Sequence, residues 1–354
     1  MPKKNQTLNM QKLIIDYFLR NELGSSSDVF GYLETLGFSV ANVTVKRALT
    51  SMVDGGDLVV EGRGPATKYH ISTTGRLFAD VDVTGYCLIE PDRRYGLTSY
   101  NFELFPNVPD SIMTDEEIKN LTLNTDTYWK RLKNQTESTR LKELERYVIE
   151  LSWKSSKIEG NTYTVLDTER LIKEGIEAPN HPKDEAVMIL NHKAAFHDIL
   201  EHKDDFKNLT LHNLEHLHSI LTKNLGIAPG ARRGLIGVAG SRYLPLDNSY
   251  QISEAVESLS QAVSRLGTGY EKALLALLGI SYIQAFEDGN KRTALMMANA
   301  ILLAHDLSPL SYRSVDIPQF INAMLVFYEL NTLVPFRQIF IEQYSFAAEH
   351  YAVS

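Results

Sequence analysis

Residues 281–303 read SYIQAFEDGNKRTALMMANAILL, and the reading of this stretch decides the fold. The segment leading into it, KALLALLGISYI (272–283), is apolar on every face. The segment leaving it, TALMMANAILLA (293–304), is nearly so. That pattern predicts two helices buried in the middle of a domain rather than lying on its surface. Between them stand two acids, two bases, a glycine and an asparagine. Unpaired charge in an apolar interior is costly, so this polar island must meet solvent or a charged ligand.

The chemistry of the island points to an anion. Gly289 lets backbone approach a ligand closely, and a helix starting near Asn290 aims its free N–H groups and positive dipole end into the loop. Lys291 and Arg292 add positive charge there. Asp288 is a hard oxygen donor able to hold Mg²⁺ against the same phosphate. A nucleotide is the expected ligand.

Residues 284–292, Gln-Ala-Phe-Glu-Asp-Gly-Asn-Lys-Arg, resemble the signature loop of the Fic-domain family, His-x-Phe-x-Asp/Glu-Gly-Asn-Gly/Lys-Arg. Phe286, Asp288, Gly289, Asn290, Lys291 and Arg292 all fit. The resemblance implies transfer of AMP from ATP to a protein hydroxyl, with the histidine as general base, the acid on Mg²⁺, and the asparagine, arginine and loop amides on the phosphates. ATP and Mg²⁺ are therefore the expected cofactors, with Asp288 as the metal ligand. Gln284 stands at the histidine position. A carboxamide cannot take the proton of an attacking hydroxyl near neutral pH, and loss of a general base removes roughly 10²–10⁴-fold of rate. The expectation is a weak or inactive transferase that still binds nucleotide. Two further departures are Lys291, where many adenylylating members have glycine, and Leu295, where they have a second arginine. The lysine variant also occurs in the Doc branch, which implies phosphate transfer as an alternative chemistry.

A second stretch supports the same family. Leu141, Leu144, Val148, Leu151 and Ile158 recur at three and four, predicting one amphipathic helix from Glu137 to Glu159 that Gly160 terminates. Glu159 in the last turn opposes the helix dipole, so a cationic partner is expected. Ser155-Ser156-Lys157-Ile158-Glu159-Gly160 resembles the family's inhibitory motif, Ser/Thr-x-x-x-Glu-Gly/Asn. The resemblance implies that Glu159 obstructs productive ATP binding, with Ser155 and Gly160 as the other fixed positions. The usual arginine partner being Leu295 here, Arg292 or Lys291 must serve.

The bounds are broad. A chain of 354 residues has room for two or three domains, and a net charge of −8 argues against a nonspecific nucleic-acid coat. No run of about 18 apolar residues is present, so no membrane span is expected. A lone Cys87 and an N-terminus without an apolar core point to the cytoplasm.

Residues 9–72 read as three short helices and a hairpin, the last from LVVEGRGPATKYHIS. The order resembles a winged helix-turn-helix, with Thr44, Lys46, Arg47 and Thr50 on the recognition helix and Arg63 and Lys68 in the wing. DNA is the implied partner. A module that binds protein or packs on its neighbour is the other reading, since its acids nearly balance its bases. Residues 73–136 read as a bridge of short strands and linker, with Phe102, Leu104 and Phe105 seeking burial. RGLIGVAGSRYLPL (233–246) has the Gly-punctuated alternation of a hairpin and resembles the Fic flap, implying that Arg233, Val238, Gly240 and Tyr243 present an edge to a target protein. His212 and His216 are spaced i, i+4 without the acid of a zinc motif, and packing or solvation accounts for them better than a metal does.

The expected fold is thus mainly α: a helical Fic core at 137–354 with a hairpin flap, preceded by a winged helix-turn-helix at 1–72 and a bridge at 73–136. The favoured function is a DNA-binding regulator carrying a nucleotide-binding Fic domain impaired by Gln284. The alternatives are an active enzyme autoinhibited by Glu159 and a scaffold that binds neither DNA nor nucleotide. Homodimers are common for both domain types.

Overall fold

The computed structural model describes residues 2–353, and side chains from residue 8 onward. Among them are fifteen α-helices and one two-stranded sheet, a mainly helical architecture. The chain forms two compact units. One gathers Met1–Val108 with the returning segments Val238–Tyr243 and Ile321–Phe336; the other holds Pro109–Gly237, Leu244–Phe320 and Arg337–Ser354.

The first unit opens with α1 (Pro2–Arg20), α2 (Ser26–Thr35) and α3 (Asn42–Asp54), followed by β1 (Leu58–Glu61) and β2 (Lys68–Ile71). Ser25 starts α2 through a reciprocal capping box with Asp28. α3 begins at Asn42 itself, and Ala41 caps it without a side-chain bond. The strands pair antiparallel from Leu58↔Ile71 to Glu61↔Lys68. A bridge from Gly24 to Tyr69 ties the turn before α2 to this hairpin. Ile14, Phe18, Val29, Leu33, Val45 and Leu49 are completely buried in one cluster that also takes Val326 and Leu330.

Residues 73–108 depart from the expected short strands. They fold into α4 (Thr73–Leu77), α5 (Val83–Cys87) and turns. Ser72 and Asp82 each accept the backbone N–H three residues on, so these segments satisfy their polar groups as capped helical turns and need no ladder. Leu104 and Phe105 are buried as expected, whereas Phe102 is 55% exposed. A buried ionic cluster closes the unit. Glu329, fully inaccessible, accepts from Tyr86 Oη at 2.7 Å, Ser241 Oγ at 2.6 Å, Arg242 N at 3.2 Å and Arg94 Nη1 at 3.3 Å.

In the second unit, α6 (Asp115–Lys133) occupies sequence read as linker. Thr114 and Glu117 form its capping box, three acids fill its first turn and three bases its last. It is followed by α7 (Glu137–Ile158), α8 (Val165–Glu174), α9 (Lys183–Glu201), α10 (Leu211–Leu221), α11 (Ser249–Arg265), α12 (Gly269–Ile283) and α13 (Asn290–Ala304). The last two are buried at every position except Lys272 and Lys291, as their all-round apolar sequence predicts. Gly279 lets α11 close on α12, because a Cβ there would lie 2.4 Å from Leu259 Cδ1. Inside, Asn299 bonds both backbone groups of Leu310, at 2.7 and 3.0 Å, which answers for its burial. α14 (Ile317–Leu330) and α15 (Val334–His350) complete the chain.

The segment 233–246 forms no paired strands. It is irregular apart from a single bridge residue at Leu244 and a turn at Ala239–Gly240, where Ser241 N donates to Val238 O at 3.0 Å. Gly240 O accepts from Arg94, and Ser241 Oγ and Arg242 N donate to Glu329, so two of the backbone groups a ladder would pair are taken. No described helix is long and apolar enough to cross a membrane.

Breaking the Glu329 cluster tests how much it holds. Glu329→Ala leaves the buried Arg94 guanidinium uncompensated, and urea denaturation should show a loss of about 3–5 kcal/mol.

Candidate functional site

The site is the turn between α12 and α13, and it is braced before it is charged. α12 ends on Gln284 in the left-handed region, φ 52°, an uncommon conformation for a residue with a Cβ. Gln284 Nε2 turns back and donates to Ser281 O at 2.6 Å. Arg232, 3% exposed, holds the turn from the other side: its Nε donates to Gln284 O at 2.7 Å and its backbone N to Ala285 O at 2.9 Å. The Asn290 amide closes the loop, accepting from Phe286 N at 2.9 Å and donating to Phe286 O at 2.7 Å. Gly289 sits at φ 82°, which fits glycine and strains any other residue.

His218 on α10 completes the brace. Its ring stacks on Phe286 with centroids 3.7 Å apart, and Nε2 lies 3.0 Å from Asp288 O. That carbonyl can only accept, so the proton is on Nε2. Burial above all, with the Arg292 charge beside it, holds the imidazole below its ordinary pKa, against the opposing pull of the Asp288 carbonyl. The ring is therefore neutral at pH 7.

The charges are unevenly compensated. Arg292 is 1% exposed and donates through Nη2 to Asp288 Oδ2 at 3.0 Å, but its Nε and Nη1 have no hydrogen-bond partner among the described residues. Asp288 also accepts from Gly289 N at 2.6 Å, and its side chain is 62% exposed. A buried guanidinium with two idle nitrogens, next to a helix N-terminus, has the chemistry to receive an oxyanion. Lys291 finds its own anion. Its Nζ lies 3.3 Å from Glu159 Oε1, an ion-pair distance at which Oε1 still lacks a well-directed hydrogen bond. The contact is Coulombic rather than directional.

This geometry sits inside a match to a known family. Residues 208–302 match the Fic/DOC family model. The chain carries a Fic/DOC-family domain. In three dimensions it resembles a Fic-1 fragment from C. elegans (TM-score 0.57, 16% identity, covering 67% of this chain and 71% of that one). It also resembles a Fic-family protein from Desulfovibrio desulfuricans G20 (0.56, 19%, 68% and 75%) and a Fic-domain-containing signalling protein from Bacteroides thetaiotaomicron (0.54, 19%, 65% and 94%). At such identities the likeness is one of fold. No curated protein matches the chain in sequence.

Within the Fic domain, the structure brings Gln284, Phe286, Asp288, Gly289, Asn290, Lys291 and Arg292 together, and sets Glu159 against Lys291. The sequence offered Lys291 or Arg292 as that partner; Arg292 is taken by Asp288. Ser155 is fully buried one turn earlier, and Gly160 adopts φ 93° just after Glu159. Among the flap residues, Arg233 belongs to the second unit, whereas Val238, Gly240 and Tyr243 cluster with the first. Thr44, Lys46, Arg47 and Arg63 are exposed in the first unit, while Lys68 is half-buried with Nζ 3.3 Å from Asp28. His216 pairs with Asp198 at 2.8 Å, and among the described residues no group of three metal-ligating side chains occurs. Arg232 and His218, which hold the loop, were not singled out from sequence.

A second histidine packed near Arg292 gives the domain a measurable pH response. His192 is fully inaccessible, and burial foremost pushes it down to about 4 from 6.5. A depressed folded-state pKa gives stability that is complete above 6.5 and lost as pH falls toward 4. Denaturation at pH 7 and pH 4 should differ by roughly 3 kcal/mol from this group, and His192→Phe should flatten that slope.

Proposed function

We propose that this chain is a winged-helix DNA-binding protein whose Fic domain binds ATP and has lost most of its power to transfer AMP. The observation that carries the nucleotide reading is Arg292, buried with Nε and Nη1 unpartnered beside the exposed Asp288 carboxylate. Phosphate oxygens would satisfy the idle guanidinium, Lys291 and the first N–H groups of α13. Mg²⁺ fits the donor set: Asp288 offers hard carboxylate oxygens to solvent, and as the described residues hold no group of three metal-ligating side chains, the phosphates would complete the shell. The Asn290 amide, bonded to both backbone groups of Phe286, shapes the loop, and its second Nδ2 hydrogen would be available to a phosphate oxygen.

The impairment rests on Gln284. In AMP transfer the hydroxyl oxygen bonds to the α-phosphorus, pyrophosphate leaves, and the hydroxyl proton needs an acceptor. The Gln284 amide has no basic nitrogen and its NH₂ is engaged by Ser281 O. His218 does not substitute, since its depressed pKa makes it a poor base and its only proton is held by Asp288 O.

The second reading, an active enzyme restrained by Glu159 that transfers AMP or, given Lys291, phosphate to a target protein at the flap, is favoured by the Glu159–Lys291 contact, which would be a redundant lock on a dead site. Incubation with ATP labelled at the α or the γ position separates the two. We expect little transfer by the native chain or by Glu159→Gly. Gln284→His with Glu159→Gly should gain about 10²–10⁴-fold in α-label transfer. Strong labelling by Glu159→Gly alone would establish the second reading, from α as adenylylation and from γ as phosphorylation.

The DNA reading is supported by the order of α1–α3 and the β1–β2 hairpin in residues 1–72, with residues 73–136 as bridge and 137–354 as the Fic part. Lys46, Arg47 and Arg63 are exposed and take part in no ion pair among the described residues, whereas Lys68 is held by Asp28. In a gel shift on DNA upstream of its own coding sequence, Lys46→Ala and Arg47→Ala should each cost about 1–3 kcal/mol and Lys68→Ala less. Absence of any salt-sensitive shift would contradict this part of the reading.

A further inference from the structure

The residues around Glu159 are tied to one face of α9, and the ties flank the glutamate on both sides. Upstream, Ser155 Oγ lies 2.8 Å from His192 Nε2 and Ser156 Oγ lies 3.3 Å from His192 Nδ1. Downstream, Asn161 Nδ2 donates to Glu185 O at 3.0 Å and Thr162 Oγ1 to Glu185 Oε2 at 2.8 Å. Glu185 and His192 are seven residues apart, two turns along the same face.

The tautomer of His192 follows from its neighbours. Nδ1 lies 2.8 Å from Met188 O, a carbonyl that can only accept, so the proton is on Nδ1 and Nε2 is a bare acceptor. Ser155, fully buried with its hydroxyl at hydrogen-bond distance from Nε2, must then donate to it. A charged ring would lose that acceptor. Burial keeps the ring neutral across the physiological range, so the tie does not respond to pH there.

We propose that His192 is a positioning residue for autoinhibition: as the buried acceptor for Ser155 it fixes the last turn of α7 on α9, and so fixes the Glu159 carboxylate against Lys291. The inference rests on the reading that Glu159 obstructs the nucleotide site. Without the imidazole, the buried Ser155 hydroxyl loses its acceptor, the end of α7 loosens, and Glu159 spends less time on the cation that phosphate would occupy. His192 thereby affects nucleotide affinity without touching nucleotide.

The test is calorimetric titration of ATP with Mg²⁺ into the full chain and the variants Glu159→Gly, His192→Phe, Ser155→Ala and the double variant His192→Phe with Glu159→Gly. Glu159→Gly should tighten binding. His192→Phe and Ser155→Ala should each tighten it by about three- to tenfold, the worth of one hydrogen bond, and His192→Phe should add nothing once Glu159 is gone. A packing histidine would instead lower the melting temperature and leave ATP affinity unchanged. That result alongside a tighter Glu159→Gly overturns the role of His192 alone. Unchanged affinity in Glu159→Gly overturns the autoinhibitory reading and the role of His192 with it. Should His192→Phe not fold, Ser155→Ala, which removes only the donor, decides by the same criteria.

Discussion

Arg292 is a permanent cation placed where water cannot reach it, with one carboxylate partner that is itself mostly in solvent. A guanidinium does not escape burial by losing its proton, so the surrounding structure must supply negative charge or leave the cost unanswered. Much of the second unit follows from this constraint. Two helices apolar on every face bury the group; Asn290 and Arg232 stiffen the turn that presents it; and His218, pressed against the same turn, is kept neutral. Lys291 adds a second cation, and the carboxylate that meets it comes from Glu159, at the far end of another helix. In the proposed function that carboxylate and a nucleotide phosphate compete for the same charge.

Binding and chemistry are separable in such a site. Oxyanion recognition needs donors and positive charge, which survive any change at residue 284. Proton removal needs one basic lone pair in one place, and the side chain there turns its amide back into α12. A chain with this pattern can keep its response to nucleotide while losing turnover.

What could be read from the sequence was what local chemistry dictates. The apolar runs flanking 284–292 announced two buried helices, and Gly160 marked the end of α7. The acid at the end of α7 demanded a cation, and one of the two candidates met it. Contacts between distant positions left no such trace. Arg232 looks like any loop arginine until its guanidinium is seen on Gln284 O, 52 residues away, and nothing local marks His218 as the ring that stacks on Phe286. The expected hairpin at 233–246 failed for the same reason: its alternation was real, but its turn is held by Glu329 and Arg94, whose claim on those backbone groups no local pattern records. α6 was missed although Thr114 and Glu117 spell a capping box, because the sparse apolar content after it resembled a linker.

The central claim is that the Arg292 turn holds nucleotide phosphate. The most direct measurement is the ³¹P spectrum of ATP with Mg²⁺ in the presence of the Glu159→Gly chain and of the same chain carrying Arg292→Met. The account predicts shifted or broadened phosphate resonances with the first and free-nucleotide resonances with the second. Identical spectra from the two proteins would contradict it.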